Sequence, residues 1–540
     1  MSLIKGVILD PLNRKKFNGA IEINDGRITQ IHKTGESVPQ QYILPGFVDS
    51  HIHIESSMLV PSEFSRLAVR HGTIATVSDP HEIANVCGIE GVNFMINNGE
   101  KVPFKFFFGA PSCVPATPFE TSGATLDSQD VDKLLERDDI LYLAEMMNWP
   151  GVLSSDEEVM AKIRSAQKRG KPVDGHAPGL KGKRARAYAK AGISTDHECT
   201  TKEEALDKLQ AGMKIAIREG SAAKNYEALI SLLGEYPEKI MFCSDDKHPD
   251  DLLFGHVNEL AARSLQRGFE LFDTLRACSV NPVTHYKLPV GLLQLNDPAD
   301  FIIVKDLDTM QVSETWINGE CVYKNRTVHM PHVAFEPINN FVMNETRPSD
   351  FVFESDESEQ PVIIAHDGEL ITGMEYESLP VKDGNVQPEP DRDILKITVV
   401  SRYQKAKPSV GFIKNFGLRK GAFASSVAHD SHNIIAIGTS DKFLSDVVNM
   451  IMKSEGGIAT VDDERKEILP LPVGGIMSDQ PGEIAASKYE RLSFMVKEMG
   501  SSITSPFMLI SFMALLVIPR LKISDKGLFD GETFEFIKNG

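Results

Sequence analysis

Between Ile43 and Asp246 the chain repeats one pattern eight times, a short β-rich run followed by a stretch of helical character. The runs are Ile43–His53, Thr73–Glu82, Phe104–Pro115, Ile140–Asn148, Pro172–Pro178, Ile193–Glu198, Lys214–Ser221 and Lys239–Asp246, with Lys202–Ala211 and Ala223–Leu233 among the predicted helices between them. Such alternation implies a parallel sheet, because each helix must carry the chain back before the next strand can begin. Eight units over about 240 residues predict an α/β fold of the (β/α)8 TIM-barrel type, whose chemistry sits at the C-terminal ends of the strands.

A single core rarely grows beyond about 250–300 residues, so a chain of 540 calls for further domains. Short apolar alternations broken by turns fill residues 1–44, as in Ala20-Ile21-Glu22-Ile23-Asn24-Asp25-Gly26, and return near 300–323. The predicted division is a composite β-sandwich built from both flanks (1–44 plus 296–333), a barrel (45–295) and a C-terminal α+β domain (334–540). Within the last, Ile394–Val400 and Asn433–Ile437 have strand character, and the acidic, proline-bearing stretches Asp350–Glu359 and Asn385–Asp393 read as loop.

With 57 basic against 76 acidic residues the net charge is −19, which repels phosphate backbones and anionic lipid surfaces. No nucleic acid and no membrane are expected as partners. The most apolar stretch, Phe507 to Ile518, is too short for a span of about 20 residues and reads as a buried helix or strand. The first residues show no charged region followed by an apolar one, so no signal peptide is expected, and cytoplasm is the default location. The six cysteines contain no Cys-x-x-Cys pair, which argues against a disulfide framework and a cysteine-built zinc site. Cys199 and Cys243 lie two residues from candidate ligands and read as small buried apolar groups.

The first run ends in Asp49-Ser50-His51-Ile52-His53, and strand periodicity puts both imidazoles on one face. Taken alone, such a pair is weak evidence for a metal. Later runs, however, end in Glu145, His176, His197 and Asp245, so four imidazoles and two carboxylates converge on one barrel mouth. That set suffices for two divalent cations, with Glu145 able to bridge them through its two oxygens.

The block Leu44-Pro45-Gly46-Phe47-Val48-Asp49-Ser50-His51-Ile52-His53 resembles the opening strand of the amidohydrolase superfamily. The segments His53-Ile54-Glu55-Ser56-Ser57-Met58, Ser78-Asp79-Pro80-His81-Glu82, Ala144-Glu145-Met146-Met147-Asn148, Asp174-Gly175-His176-Ala177-Pro178 and Ser244-Asp245-Asp246 are similar to its bacterial adenine deaminase branch. The tail segment Ala424-Ser425-Ser426-Val427-Ala428-His429-Asp430-Ser431-His432-Asn433 resembles that branch's extra C-terminal domain. The resemblance implies hydrolytic deamination of adenine, a small purine base as partner, a homo-oligomer, and two Mn2+ or Fe2+ ions, with Zn2+ left open by the ligand types. Ile140–Asn148 contains no lysine, so the bridging role falls to Glu145 and a cyclic-amide hydrolase with a carboxylated lysine is disfavoured. An inactive oligomeric scaffold, the rival of a different class, is disfavoured because all six ligand candidates are present.

On this reading Asp245 is the candidate acid/base, with Glu82 and His197 beside it. Asp246 remains the alternative, because neighbours on a strand end point in opposite directions. His81 and Glu82 are candidates for contacting the base or a further cation, against a solvated loop. Ser221 is a candidate for substrate contact, against a helix cap. His429, Asp430 and His432 form a candidate metal or substrate cluster over the mouth, against a plain polar turn.

Overall fold

The computed structural model describes residues 2–221 and 223–537 of a mixed α/β chain. All eight expected parallel strands are present, each shorter than the run that signals it. They are β1 (Phe47–Ile52), β2 (Thr73–Ser78), β3 (Lys105–Ala110), β4 (Ile140–Met146), β5 (Val173–Gly175), β6 (Thr195–Asp196), β7 (Lys214–Arg218) and β8 (Ile240–Cys243). The first run splits at Gly46, where a Cβ would lie 2.5 Å from the Ile74 side chain; the glycine lets the chain pass from the flanking sheet into β1.

The ladder is not one continuous ring. β1 to β5 pair side by side in one sheet and β6 to β8 in another. At one seam the Ser194 N–H donates to the Val173 carbonyl (2.8 Å). At the other, the Asp245 N–H donates to the His51 carbonyl (3.0 Å) and the His53 N–H to the Asp245 carbonyl (3.3 Å), a parallel bridge between Ile52 and Asp245. β5 and β6, three and two residues long, are too short to carry a ladder across their seam.

Both flanks contribute to one eight-stranded sheet, in which Tyr42–Pro45 pairs antiparallel with Phe301–Val304. One face packs Ile21, Ile43 and Phe301 into a small core, while Leu44, Ile302 and Val304 on the other join the core of the parallel strands. This alternation follows from the two-residue period of a strand buried on both faces.

The C-terminal part centres on a second eight-stranded sheet that includes Ile394–Val400, Ala422–Ser425 and Ile434–Gly438. Four helices matter for the site: α1 (His81–Gly99, broken at Gly88), α2 (Pro249–Phe254), α3 (Gly482–Glu498) and α4 (Pro506–Phe512). α4 covers only the first part of the apolar Phe507–Ile518 stretch, to Phe512, and is buried, and among the described residues no helix is long and apolar enough to cross a membrane. α3 packs on α2, and Leu59 bridges to Ser478, so the C-terminal part lies on the strand-end side of the parallel sheets.

Candidate active site

The six ligand candidates from the strand ends are drawn into one buried nest. Glu145, at the end of β4, stands at its centre and divides its neighbours between its two oxygens. Oε2 lies 2.8 Å from His176 Nδ1 and 3.1 Å from His197 Nε2, while Oε1 lies 3.4 Å from His53 Nε2. Asp245 closes the other side, with Oδ1 3.2 Å from His53 Nε2 and 3.4 Å from His51 Nε2. Its backbone is left-handed (φ 57°) and is pinned by the two hydrogen bonds to β1, which aims the carboxylate at the imidazoles of that strand.

The arrangement fits a pair of divalent cations. Both ring nitrogens of His51 and Nε2 of His197 are buried and lack a hydrogen-bond partner. Leaving them so is costly unless something positive binds there. Among the described residues, three-residue groups of metal-ligand type include His51, His53 and Asp245, and His51, Glu145 and His197. Imidazole nitrogen and carboxylate oxygen without thiolate form a donor set suited to manganese, iron or zinc.

The electrostatics point the same way. Burial alone pushes the Glu145 carboxyl up, but His176 and His197 outweigh it and hold the group well below the usual range. Burial likewise opposes the charge on Asp245, and Arg218 with His51 and His53 overrides it. Both carboxylates are therefore ionised and available as ligands.

Arg218, the last residue of β7, is not among the candidates the sequence offers, which in this segment include only Ser221. Its Nη1 donates to Asp245 Oδ2 (2.6 Å) and to Glu198, a second residue not singled out. Glu198 Oε1 lies 3.4 Å from His197 Nε2 and 3.6 Å from His176 Nδ1. The available signal was a cation ending one strand and an acid following a ligand histidine on its neighbour.

A second nest adjoins the first. His81 and Glu82 open α1; the Asp79 carboxylate accepts the His81 N–H (3.0 Å), which turns both side chains inward. They are 3% and 2% exposed, so the solvated-loop alternative does not hold. The C-terminal turn ahead of the strand Ile434–Gly438 supplies His429, Asp430 and His432, all buried. His429 Nδ1 lies 2.6 Å from Glu82 Oε1, and His432 Nε2 hydrogen-bonds Glu82 Oε2. His81 links the nests, with Nε2 3.6 Å from Glu82 Oε1 and Nδ1 3.6 Å from Glu145 Oε1. Asp430 offers an oxygen to the same group as His81 and Glu82. Burial, then nearby Glu82, raises its carboxyl to about 6.

Asp246 accepts the Ser56 hydroxyl (2.5 Å). Ser221 stands outside both nests: its hydroxyl donates to Asp251 (2.5 Å) and accepts the His248 N–H (2.8 Å), tying the loop after β7 to α2. It does line a cavity of about 320 Å³ with Lys224, Asp367, Met508 and Phe512. Phe512 also stacks on His429 (centroids 5.3 Å apart, planes at 23°), so this cavity abuts the second nest. Cys199 and Cys243 are fully buried and free.

Residues 42–322 match the amidohydrolase family, and the chain belongs to it. Residues 369–535 match the adenine deaminase C-terminal domain. The adenine deaminase of Salinibacter ruber is 53% identical, covering 99% of this chain and 98% of that one; the adenine deaminase of Methanosarcina mazei is 50% identical, covering 99% of each. Within the amidohydrolases the chain therefore belongs to the adenine deaminases. Among solved structures, a beta-aspartyl dipeptidase of Fervidobacterium islandicum aligns over 62% of this chain and 100% of that one, at 16% identity and TM-score 0.44.

Proposed function

We propose that this chain hydrolyses adenine to hypoxanthine and ammonia, in purine salvage in the cytoplasm, as a homo-oligomer. The observation that carries the reading is the division of imidazoles between the two oxygens of Glu145, in a chain about half identical to adenine deaminases over its length. We further read the two parallel sheets as arcs of one (β/α)8 barrel (45–295), with the flanks (1–44 and 296–333) as a composite β-sandwich and 334–540 as a separate α+β domain.

His51, His53, Glu145, His176, His197 and Asp245 would hold two divalent cations, Mn2+ or Fe2+ before Zn2+. Cations bound there would lower the pKa of water and so make a nucleophile available for C6 of the purine. Asp245 keeps Oδ2 on Arg218, and its Oδ1, beside His51 and His53, would take the proton of the attacking water. A C–O bond forms at C6, the C6–N bond breaks, and the proton leaves with the amine as ammonia. Asp245 takes precedence over Asp246 because its Oδ1 lies 3.2 Å from His53 Nε2 and 3.4 Å from His51 Nε2. Glu82, ionised between two imidazoles, serves as the second proton carrier: it takes up the remaining proton of the water and passes it to the ring nitrogen, while the first leaves with the amine. His81, Asp430 and the cavity beside Phe512 and Ser221 form the side from which the base enters.

The test is the ultraviolet change on mixing Mn-loaded protein with adenine, with ammonia assayed in parallel and a metal-stripped control. Metal-dependent formation of hypoxanthine is expected. No conversion of adenine at full metal content would send the search to other purines and cyclic amides.

A further inference from the structure

We infer that His429 and His432 of the C-terminal turn are positioning residues for Glu82, so that the last third of the chain completes an active site otherwise built from strand ends. The inference rests on the reading of Glu82 as a proton carrier.

Three observations carry it. The first is that the tautomer of His432 is fixed. The Ala428 N–H donates to its Nδ1 (3.2 Å), so Nδ1 accepts and Nε2 carries the hydrogen that is donated to Glu82 Oε2. The second is that the ring of His429 is held in plane by stacking on Phe512 of α4, which leaves Nδ1 aimed at Glu82 Oε1. Both oxygens of one carboxylate are thus claimed from opposite sides, which sets its rotation as well as its position.

The third is that the turn itself is held rigid. His432 has a left-handed backbone (φ 55°), a conformation a non-glycine residue keeps only where its surroundings impose it. Those surroundings are on hand. Arg402, fully buried, donates to the His432 carbonyl (3.4 Å), Tyr403 to the Ser431 carbonyl (2.6 Å), and Asn433 to the Thr121 carbonyl (2.8 Å) on a loop between β3 and β4. The turn is braced from both the C-terminal sheet and the parallel strands.

These imidazoles differ from metal ligands in one respect. Neither ring nitrogen of His432 is left without a partner, whereas His51 and His197 carry orphaned nitrogens. His432 is satisfied by the backbone and by the carboxylate it holds.

The experiment uses the full-length, Mn-loaded protein and compares His432→Leu with His432→Gln, whose amide nitrogen reaches the place of Nε2. Expected are a roughly 10²-fold lower kcat for the leucine variant, KM and metal content unchanged, and recovery of at least tenfold by glutamine. On a Glu82→Gln background, His432→Leu is expected to add no further loss, since nothing is left to position. Should His432→Leu fail to fold, His429→Leu against His429→Asn, whose amide stands in for Nδ1, asks the same question.

Equal losses for the leucine and amide variants, or losses that multiply with Glu82→Gln, would overturn the positioning role. Loss of a metal equivalent on His429→Leu would overturn it in favour of ligation. Full activity of Glu82→Gln would remove the role of Glu82 itself and the clamp with it, whereas an inactive Glu82→Gln with active histidine variants would remove the clamp alone.

Discussion

Glu145 and Glu82 are both buried carboxylates held between imidazoles, yet their surroundings are built for different ends. Around Glu145 the imidazoles come from β1, β5 and β6, and several of their nitrogens have no hydrogen-bond partner. Around Glu82, His429 and His432 come from one turn of the C-terminal part and hydrogen-bond its two oxygens, and His432 is also engaged by the backbone, while His81 of α1 stands beside them with Nδ1 unpartnered. The same two residue types therefore make a nest whose imidazoles are left open for cations and a nest in which the carboxylate takes the hydrogen bonds of two C-terminal imidazoles. Hydrogen-bond satisfaction, more than residue identity, separates a ligand set from a positioning set.

The largest effect that probes this contrast is expected from Glu145→Ala. It removes the group shared by both halves of the first nest, so metal content falls and turnover drops by at least roughly 10⁴-fold, while the fold persists because no core packing is lost. Metal analysis, a deaminase assay and a thermal melt check the three parts. An active variant at full metal content would break the comparison, leaving the first nest no more than a cluster of buried polar groups.

The next effect concerns how the first nest holds its own acid/base. Arg218→Met removes the cation that faces both Asp245 and Glu198 and leaves two buried carboxylates without it. Truncating one side of such a buried network costs about 3–5 kcal/mol of stability. A loss of roughly 10–100-fold in kcat follows from freeing Asp245, as for other groups that orient a ligand. Urea unfolding and steady-state kinetics at measured metal content test both. Unchanged kinetics with lowered stability would make Arg218 a purely structural counter-ion.

The two nests also differ in how far the sequence foretells them. The first was legible because strand-end residues inherit their place from the period-2 alternation and from strand order, so His51, His53, Glu145, His176, His197 and Asp245 converge once eight units are counted. The eight strand units of the two parallel sheets were legible for the same reason, although not the brevity of β5 and β6, which depends on close packing at Gly175 and Ser194. The second nest was only half legible. His429, Asp430 and His432 stood out as residue types, but the hydrogen bond from His429 to Glu82 spans 347 positions, and no local pattern encodes such a docking. Arg218 and Glu198 were missed because a single charge at a strand end reads as solvated until its partners are placed.

His71 offers the smallest effect and a third case, an imidazole in neither nest. It is buried, and its Nε2 donates to the Leu252 carbonyl (2.8 Å), with no carboxylate to hold a proton on it. Burial, then nearby His256, lowers its pKa to about 3. In the unfolded chain the same ring takes up a proton near pH 6.5. Between these values the unfolded state binds more protons than the folded one, so stability falls as pH falls, by about 1.4 kcal/mol per pH unit, and above pH 6.5 the group has no effect. His71→Gln keeps a donor for Leu252 and removes the titration. From pH 7.5 to 4.5 the unmodified protein is therefore expected to lose roughly 2–3 kcal/mol more than the variant in urea unfolding. Parallel losses in the two proteins would mean that the ring is not kept neutral by burial. The contrast drawn above would then lose its reference point, because an imidazole that charges without a carboxylate would show that Glu145 and Glu82 are not what sets the charge of the rings around them.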